Sequence, residues 1–381
     1  MDFSPVTFSA EDKAFLEQTR AFLAEHVTDE VRGRDRESGE NFDEGVHLAL
    51  GEAGYLAGDW RLESEGGFSP VGRRIFALEI ARAHTPWYHW GTTSVVARMV
   101  QQFGAPELTS QVLPGVLSGD IRLCLGYTEP EGGSDVATCK TRAVRDGDVW
   151  IINGSKMFTS NAQNAKYVFL LTNTDPQGPK HKNLTMFLVP LASPGIEIQG
   201  IRTVDGDRTN IVYYSDVRVD DLYRIGEVNG GWTVMRFALD AEHGVVDPED
   251  HGLQDVATMS GHGALMAEAV DTVAGLVPDA SESVKYRLGR SFARMEAALS
   301  TPGMYGRVAL AQTMRDISPD LMDILGTASA LPTENPGSAD DGTTEYLFRL
   351  AVPTGIYGGT LEVFRNMIAQ HELGLGRPSY G

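Results

Sequence analysis

Two separated runs hold the residues best suited to chemistry. Thr128-Glu129-Pro130-Glu131-Gly132-Gly133-Ser134-Asp135 follows the apolar stretch 123–127, and Phe158-Thr159-Ser160 ends a second β-prone stretch. Pro130 stops strand pairing, and Gly132-Gly133 lets backbone N–H groups face outward. With Ser134 and Asp135 at an N-cap or nest position, such a turn suits a phosphate or a carbonyl oxygen. The same residues also suit a surface turn of an ordinary β-domain, and turn chemistry alone leaves both readings open.

Positioning these runs requires a sheet. From 120 to about 225 the chain reads as short apolar or alternating segments at 143–152, 167–172, 184–189 and 212–219. Within 143–152, Asp146-Gly147 predicts a two-residue hairpin turn. The residues before the sheet are helical in period. Ser9 and Asp12 are spaced as a capping box ahead of a stripe of Phe15, Leu16, Phe22, Leu23 and Val27. Helical periodicity returns at 71–84, 94–103 and 108–117, the last stopped by Gly119. Gly67 and Gly72 have the spacing of a phosphate loop, but Arg73-Arg74 replaces its Lys-Ser/Thr, which excludes that reading. After Asn229-Gly230-Gly231, Trp232, Met235, Phe237 and Leu239 open a helical pattern that runs to Glu372, broken by the acidic, Pro/Gly-rich segment 332–342. No internal repeat is visible. The expected fold is α+β and multi-domain: an N-terminal helical domain at 1–119, a middle β-domain at 120–228 forming a small barrel or sandwich, and a C-terminal helical bundle at 229–381.

Composition narrows the function. The chain has 381 residues, 42% of them apolar, enough for one large core or several smaller ones. A formal charge of -20 argues against nucleic acid and anionic membrane surfaces, which need clustered cations. Two cysteines, Cys124 and Cys139, without a CxxC spacing, argue for a reducing cytoplasm rather than a disulfide scaffold. No basic-then-apolar leader and no apolar stretch of membrane-spanning length is apparent. No GxGxxG follows a strand, so a nicotinamide enzyme is not expected. Residues 240–262 collect Glu242, His243, Asp247, Glu249, Asp250, His251, Asp255 and His262, but in no metal-ligand spacing; an acidic helix flank is the better reading. Pro248 breaks or kinks the helix there.

TEPEGGSD at 128–135 and INGSKMFTSNA at 152–162 resemble the two-part flavin signature of the acyl-CoA dehydrogenase family, and the similarity extends over nearly the whole chain. The resemblance implies the order helical, β, helical, and an FAD touched by Tyr127, Thr128, Ser134, Phe158, Ser160 and Thr360. It places Thr128 and Ser160 at the flavin ring, Phe158 beside it, and Ser134 near the pyrophosphate. Most of the family carries its catalytic glutamate just before a Gly-Thr, which here is Gly358. A glycine abstracts no proton, although its N–H still suits a thioester oxygen. A minority carries the base in an LD-x-E-R segment on the first helix of the last domain. This chain reads Leu239-Asp240-Ala241-Glu242-His243, which makes Glu242 the candidate base, with His243 departing from the usual Arg. On its own chemistry, Glu242 also suits a solvated helix position near Arg236.

The R-x-x-FG and QxxGGxGY segments that grip the adenine end of FAD across subunits are missing; Lys285 to Arg290 and Asp323 to Ala330 stand there instead. Half a shared site implies a different partner chain. The pattern resembles the catalytic subunits of actinobacterial α2β2 steroid side-chain acyl-CoA dehydrogenases, at Tyr213 to Val219, Ile324 to Ala328 with Asn335 to Gly337, and Gly358 to Thr360 with Arg365-Asn366. A bulky CoA thioester, an electron-transfer flavoprotein as acceptor, and no metal are the corresponding expectations. Alternatives are a non-catalytic subunit that keeps the flavin fold, or an acyl-CoA or nitroalkane-type oxidase.

Overall fold

The computed structural model describes residues 7–242, 260–333 and 335–376, except the side chains of Ala241, Glu242 and Ser260. The Glu242 side chain, His243 and Pro248 therefore lie outside the described residues, as does most of the acidic stretch 240–262.

Seven helices come first: α1 (Ala10–His26), α2 (Asp29–Ser38), α3 (Glu44–Glu52), α4 (Tyr55–Trp60), α5 (Pro70–Arg82), α6 (Trp90–Phe103) and α7 (Pro106–Ser118). The Ser9/Asp12 capping box forms as its spacing predicts, and Gly119 ends α7 at φ +88°. Helix α6 starts four residues earlier than its apolar period suggests, because His89 makes no side-chain cap that the sequence could announce.

The sheet contains β1 (Leu123–Gly126), β2 (Arg142–Asp146), β3 (Val149–Met157), β4 (Tyr167–Asn173), β5 (Leu184–Pro190), β6 (Ile196–Arg202), β7 (Arg208–Asp220) and β8 (Arg224–Ile225). Its order is β6-β7-β3-β2-β4-β5-β8, with β1 parallel to β4. The β2–β3 hairpin turns one residue later than expected: Asp146 pairs with Val149, and Gly147, at φ +66°, occupies the first turn position instead of the second.

Strands β4 and β5 are buried on both faces. Phe169, Leu171, Met186 and Leu188 enter a core shared with the N-terminal helices, while Val168, Leu170, Phe187 and Val189 enter a second core inside the β-layer. This explains why both strands read as continuous apolar runs rather than alternating ones. Helix α8 (Gly231–Glu242) follows and sends Val234, Met235 and Ala238 into the first core.

The later helices α9 (Ser260–Leu276), α10 (Glu282–Leu299), α11 (Gly303–Leu325) and α12 (Thr343–Ala351) build a third core around Met266, Val270, Met295, Leu310, Met314 and Leu347. Helix α13 (Leu361–Met367) and a π-helical stretch to Glu372 close the described chain. Among the described residues no helix is long and apolar enough to cross a membrane.

Candidate active site

A cavity of about 2500 Å³ lies where α2, α5, the 127–136 turn, the end of β3, the β6–β7 turn, α9 and the segment before α13 meet. It brings together every candidate whose side chain is described: Tyr127, Thr128, Ser134, Phe158, Ser160, Gly358 and Thr360. Glu242 ends α8, one turn beyond Leu239, and Leu239 lines the same cavity.

The two sequence motifs are locked together by a buried ion pair. Lys156, fully buried on β3, donates to Glu129 Oε1 at 2.8 Å and to the Tyr127 carbonyl at 3.1 Å. Glu129 also accepts from the backbone N–H groups of Lys140 at 2.7 Å and Thr141 at 2.8 Å. Met157 N–H donates to the Thr128 carbonyl at 2.9 Å. Burial pushes the Glu129 carboxyl up, but the Lys156 charge and the Lys156 and Thr141 donors outweigh it and hold the group at about 2. The neighbouring thiol of Cys139 is pushed up to about 11 by burial. Neither Glu129 nor Lys156 stands out by residue type. The signal was the alternation of Trp150, Ile152 and Lys156, which puts a lysine on an inward-facing strand position.

Beyond Met157 the chain is strained into the cavity. Phe158 adopts φ +58° with its side chain 54% exposed, a conformation rare for an aromatic residue. Asn210 holds the next residue on both sides, its carbonyl accepting from Thr159 N–H and its amide donating to the Thr159 carbonyl, each at 2.9 Å. Ser160 Oγ and Thr209 Oγ1 share a hydrogen bond of 2.9 Å. Asp135 stands before a short 3₁₀ turn without capping it, its carboxylate pairing instead with Lys180 at 2.5 Å. Among the described residues nothing accepts from the N–H of Gly133 or Ser134, and a Cβ at Gly133 would meet open space. This exposed turn, with Thr128, Ser160 and an aromatic wall, suits the ring and phosphate of a flavin.

Across the cavity, Gly358 and Gly359 both take left-handed angles, φ +60° and +94°. Glycine takes two such angles in sequence with the least strain. Among the described residues nothing accepts from Gly358 N–H. Thr360 Oγ1 accepts from Val363 N–H at 3.2 Å and so caps α13 while lining the cavity.

Residues to which sequence reasoning gave no site role complete the walls. The β6–β7 turn carries Asp205 and Asp207 toward Asp35 of α2. Burial, then the Asp205 charge, raises Asp207 to about 7, and burial raises Asp35 to about 6. His262 of α9 bonds through Nδ1 to the Tyr357 hydroxyl at 3.0 Å, and burial lowers it to about 4.

Residues 9–120 match the acyl-CoA dehydrogenase N-terminal domain and residues 124–221 the acyl-CoA dehydrogenase middle domain. The chain belongs to the acyl-CoA dehydrogenase family. It is 32% identical to the acyl-CoA dehydrogenase IpdE1 of Mycolicibacterium smegmatis, with 97% of this chain and 100% of that protein covered. It is likewise 32% identical to the acyl-CoA dehydrogenase FadE26 of Mycobacterium tuberculosis, covering 86% of each. Among solved structures, a Tcur3481-Tcur3483 steroid ACAD is similar over 98% of this chain and 100% of that one, with 32% identity and a TM-score of 0.83. The helical, β, helical architecture expected from the motifs is therefore the family fold, and the chain is a flavin-dependent oxidoreductase acting on acyl-CoA.

Proposed function

We propose that this chain is the catalytic subunit of a heteromeric FAD enzyme that introduces a Cα–Cβ double bond into the CoA thioester of a bulky, steroid-derived acid. The observation that carries the reading is the single cavity joining both flavin-motif segments to the Gly358 turn. Bound against Thr128, Phe158 and Ser160, a flavin supplies a hydride acceptor for the β hydrogen.

The chain's own residues supply the rest. Glu242, the last residue of α8, takes the α proton as general base. The Gly358 N–H, which meets no acceptor among the described residues, donates to the thioester oxygen as negative charge builds there. Phe158 walls the reacting atoms from water.

A partner chain fits the second half of the site. In the segment where family members grip the adenine, Arg287 is committed to Asp323 at 2.7 Å and Asp320 at 2.9 Å, tying α10 to α11 rather than reaching outward. Similarity to the heteromeric Tcur3481-Tcur3483 enzyme supports an unlike partner and a steroid thioester. An electron-transfer flavoprotein is the proposed acceptor. Co-expression with a second dehydrogenase-like chain should yield one flavin per pair of unlike chains and dye reduction by a steroid side-chain CoA ester. One flavin per copy of this chain alone would contradict the partner. Peroxide formation matching dye-coupled turnover would favour an oxidase.

A further inference from the structure

In the turn Tyr357-Gly358-Gly359, two of the three residues are glycines in left-handed conformations and offer no side chain to hold it in place. It is gripped instead from other elements. Arg307 of α11, almost fully buried, donates from Nη2 to the Tyr357 carbonyl at 2.7 Å and to the Gly359 carbonyl at 3.4 Å. On the other side, the Tyr357 ring reaches α9, where its hydroxyl meets His262 Nδ1 at 3.0 Å. Tyr88, from the connection between α5 and α6, stacks flat on the His262 ring, centroids 5.3 Å apart and planes 12° from parallel.

We infer that His262 and Tyr357 form a positioning pair that aims the Gly358 N–H at the carbonyl of the CoA thioester. The inference deepens the proposed function and rests on its placement of that carbonyl. Burial keeps the Tyr357 hydroxyl protonated and the His262 ring neutral, and the inferred pairing has the hydroxyl donate to Nδ1 of the Nε2-protonated tautomer. Tyr88, His262 and Tyr357 all line the cavity, so the N-terminal helices, α9 and the turn before α13 become one rigid wall. A flexible turn would leave the amide free to rotate away, and misplacement by an ångström costs far more in rate than in binding.

The test uses the assembled enzyme with its partner chain and compares a steroid side-chain CoA thioester with the matching CoA thioether, which lacks the carbonyl. Tyr357→Phe removes only the hydroxyl, and His262→Phe removes the nitrogen while keeping the ring under Tyr88. Each should lower kcat for the thioester about tenfold, the value of one well-aligned hydrogen bond. Binding of the thioether, read from the flavin spectrum, should stay within twofold of wild type. His262→Gln, which can still accept from Tyr357, should recover most of the loss, and the Tyr357→Phe/His262→Phe double variant should be no worse than either single one. Should His262→Phe fail to fold, Tyr357→Phe and His262→Gln decide the matter alone. Equal losses on thioester and thioether, additive losses in the double variant, or Tyr357→Phe within twofold of wild type would overturn the pairing. A wild-type enzyme that does not oxidise CoA thioesters at all would instead remove the functional reading on which the pairing rests.

Discussion

The two sides of the cavity are built on opposite plans. The flavin-side turn at 128–135 is secured by charge: one buried lysine, Lys156, and one carboxylate, Glu129, tie neighbouring segments of the same β-layer. The substrate-side turn at 357–359 carries no charge of its own and is secured by an arginine and a histidine contributed by distant helices. The first plan fixes a cofactor cradle inside one layer of the fold. On the proposed function, the second makes the geometry of the reacting carbonyl depend on how the helical layers pack together.

The sharpest way to break this contrast is Lys156→Met. It strands the buried Glu129 carboxylate and should cost about 3–5 kcal/mol of stability, with loss of bound flavin, read by thermal unfolding and flavin content. An unchanged melting temperature would mean that the pair is not what locks the motif. The 128–135 turn and the β6–β7 turn should respond to pH with opposite sign. Glu129 is held at about 2 against an ordinary 4.5, so its contribution is complete above 4.5 and disappears as pH falls toward 2. Asp207 is raised from 3.8 to about 7, so stability is greatest below 3.8 and is lost as pH rises through 7. Stability profiles of Glu129→Gln and Asp207→Asn should flatten the acid and neutral limbs respectively; a profile unaltered by Asp207→Asn would show that the β6–β7 turn is not under that tension.

Smaller effects separate the two glycine turns. Gly358→Ala must hold an alanine at φ +60° and should lose about 1–2 kcal/mol, accompanied by a fall in kcat. Gly133→Ala has open space for its methyl group and no positive φ, so folding stability should stay within about 0.5 kcal/mol. Equal destabilisation at both positions would erase the distinction between a cradle open to a ligand and a turn under conformational constraint.

The contrast also explains what the sequence revealed. Pro130, Gly132-Gly133 and the hydroxyls act through local backbone chemistry, and helix and strand periods report burial within one element, so the exposed turn and the three-part architecture were legible. The hairpin slipped by one residue because Gly147 suits either central position of a two-residue turn. The Glu129–Lys156 pair spans 27 positions and the His262–Tyr357 pair 95, and no period or motif encodes such contacts. Nothing in the sequence marks Asp207 and Asp35, whose carboxyls only the folded burial raises. The reading of Gly358 gains a physical reason only when its backbone angle is known.

The most direct test of the proposed chemistry is Glu242→Gln in the assembled enzyme, mixed anaerobically with a steroid side-chain CoA ester while the flavin absorbance is followed. Loss of proton abstraction should slow bleaching by at least about 10²-fold with flavin still bound at wild-type stoichiometry. Bleaching at near wild-type rate would contradict the assignment of Glu242 as the base.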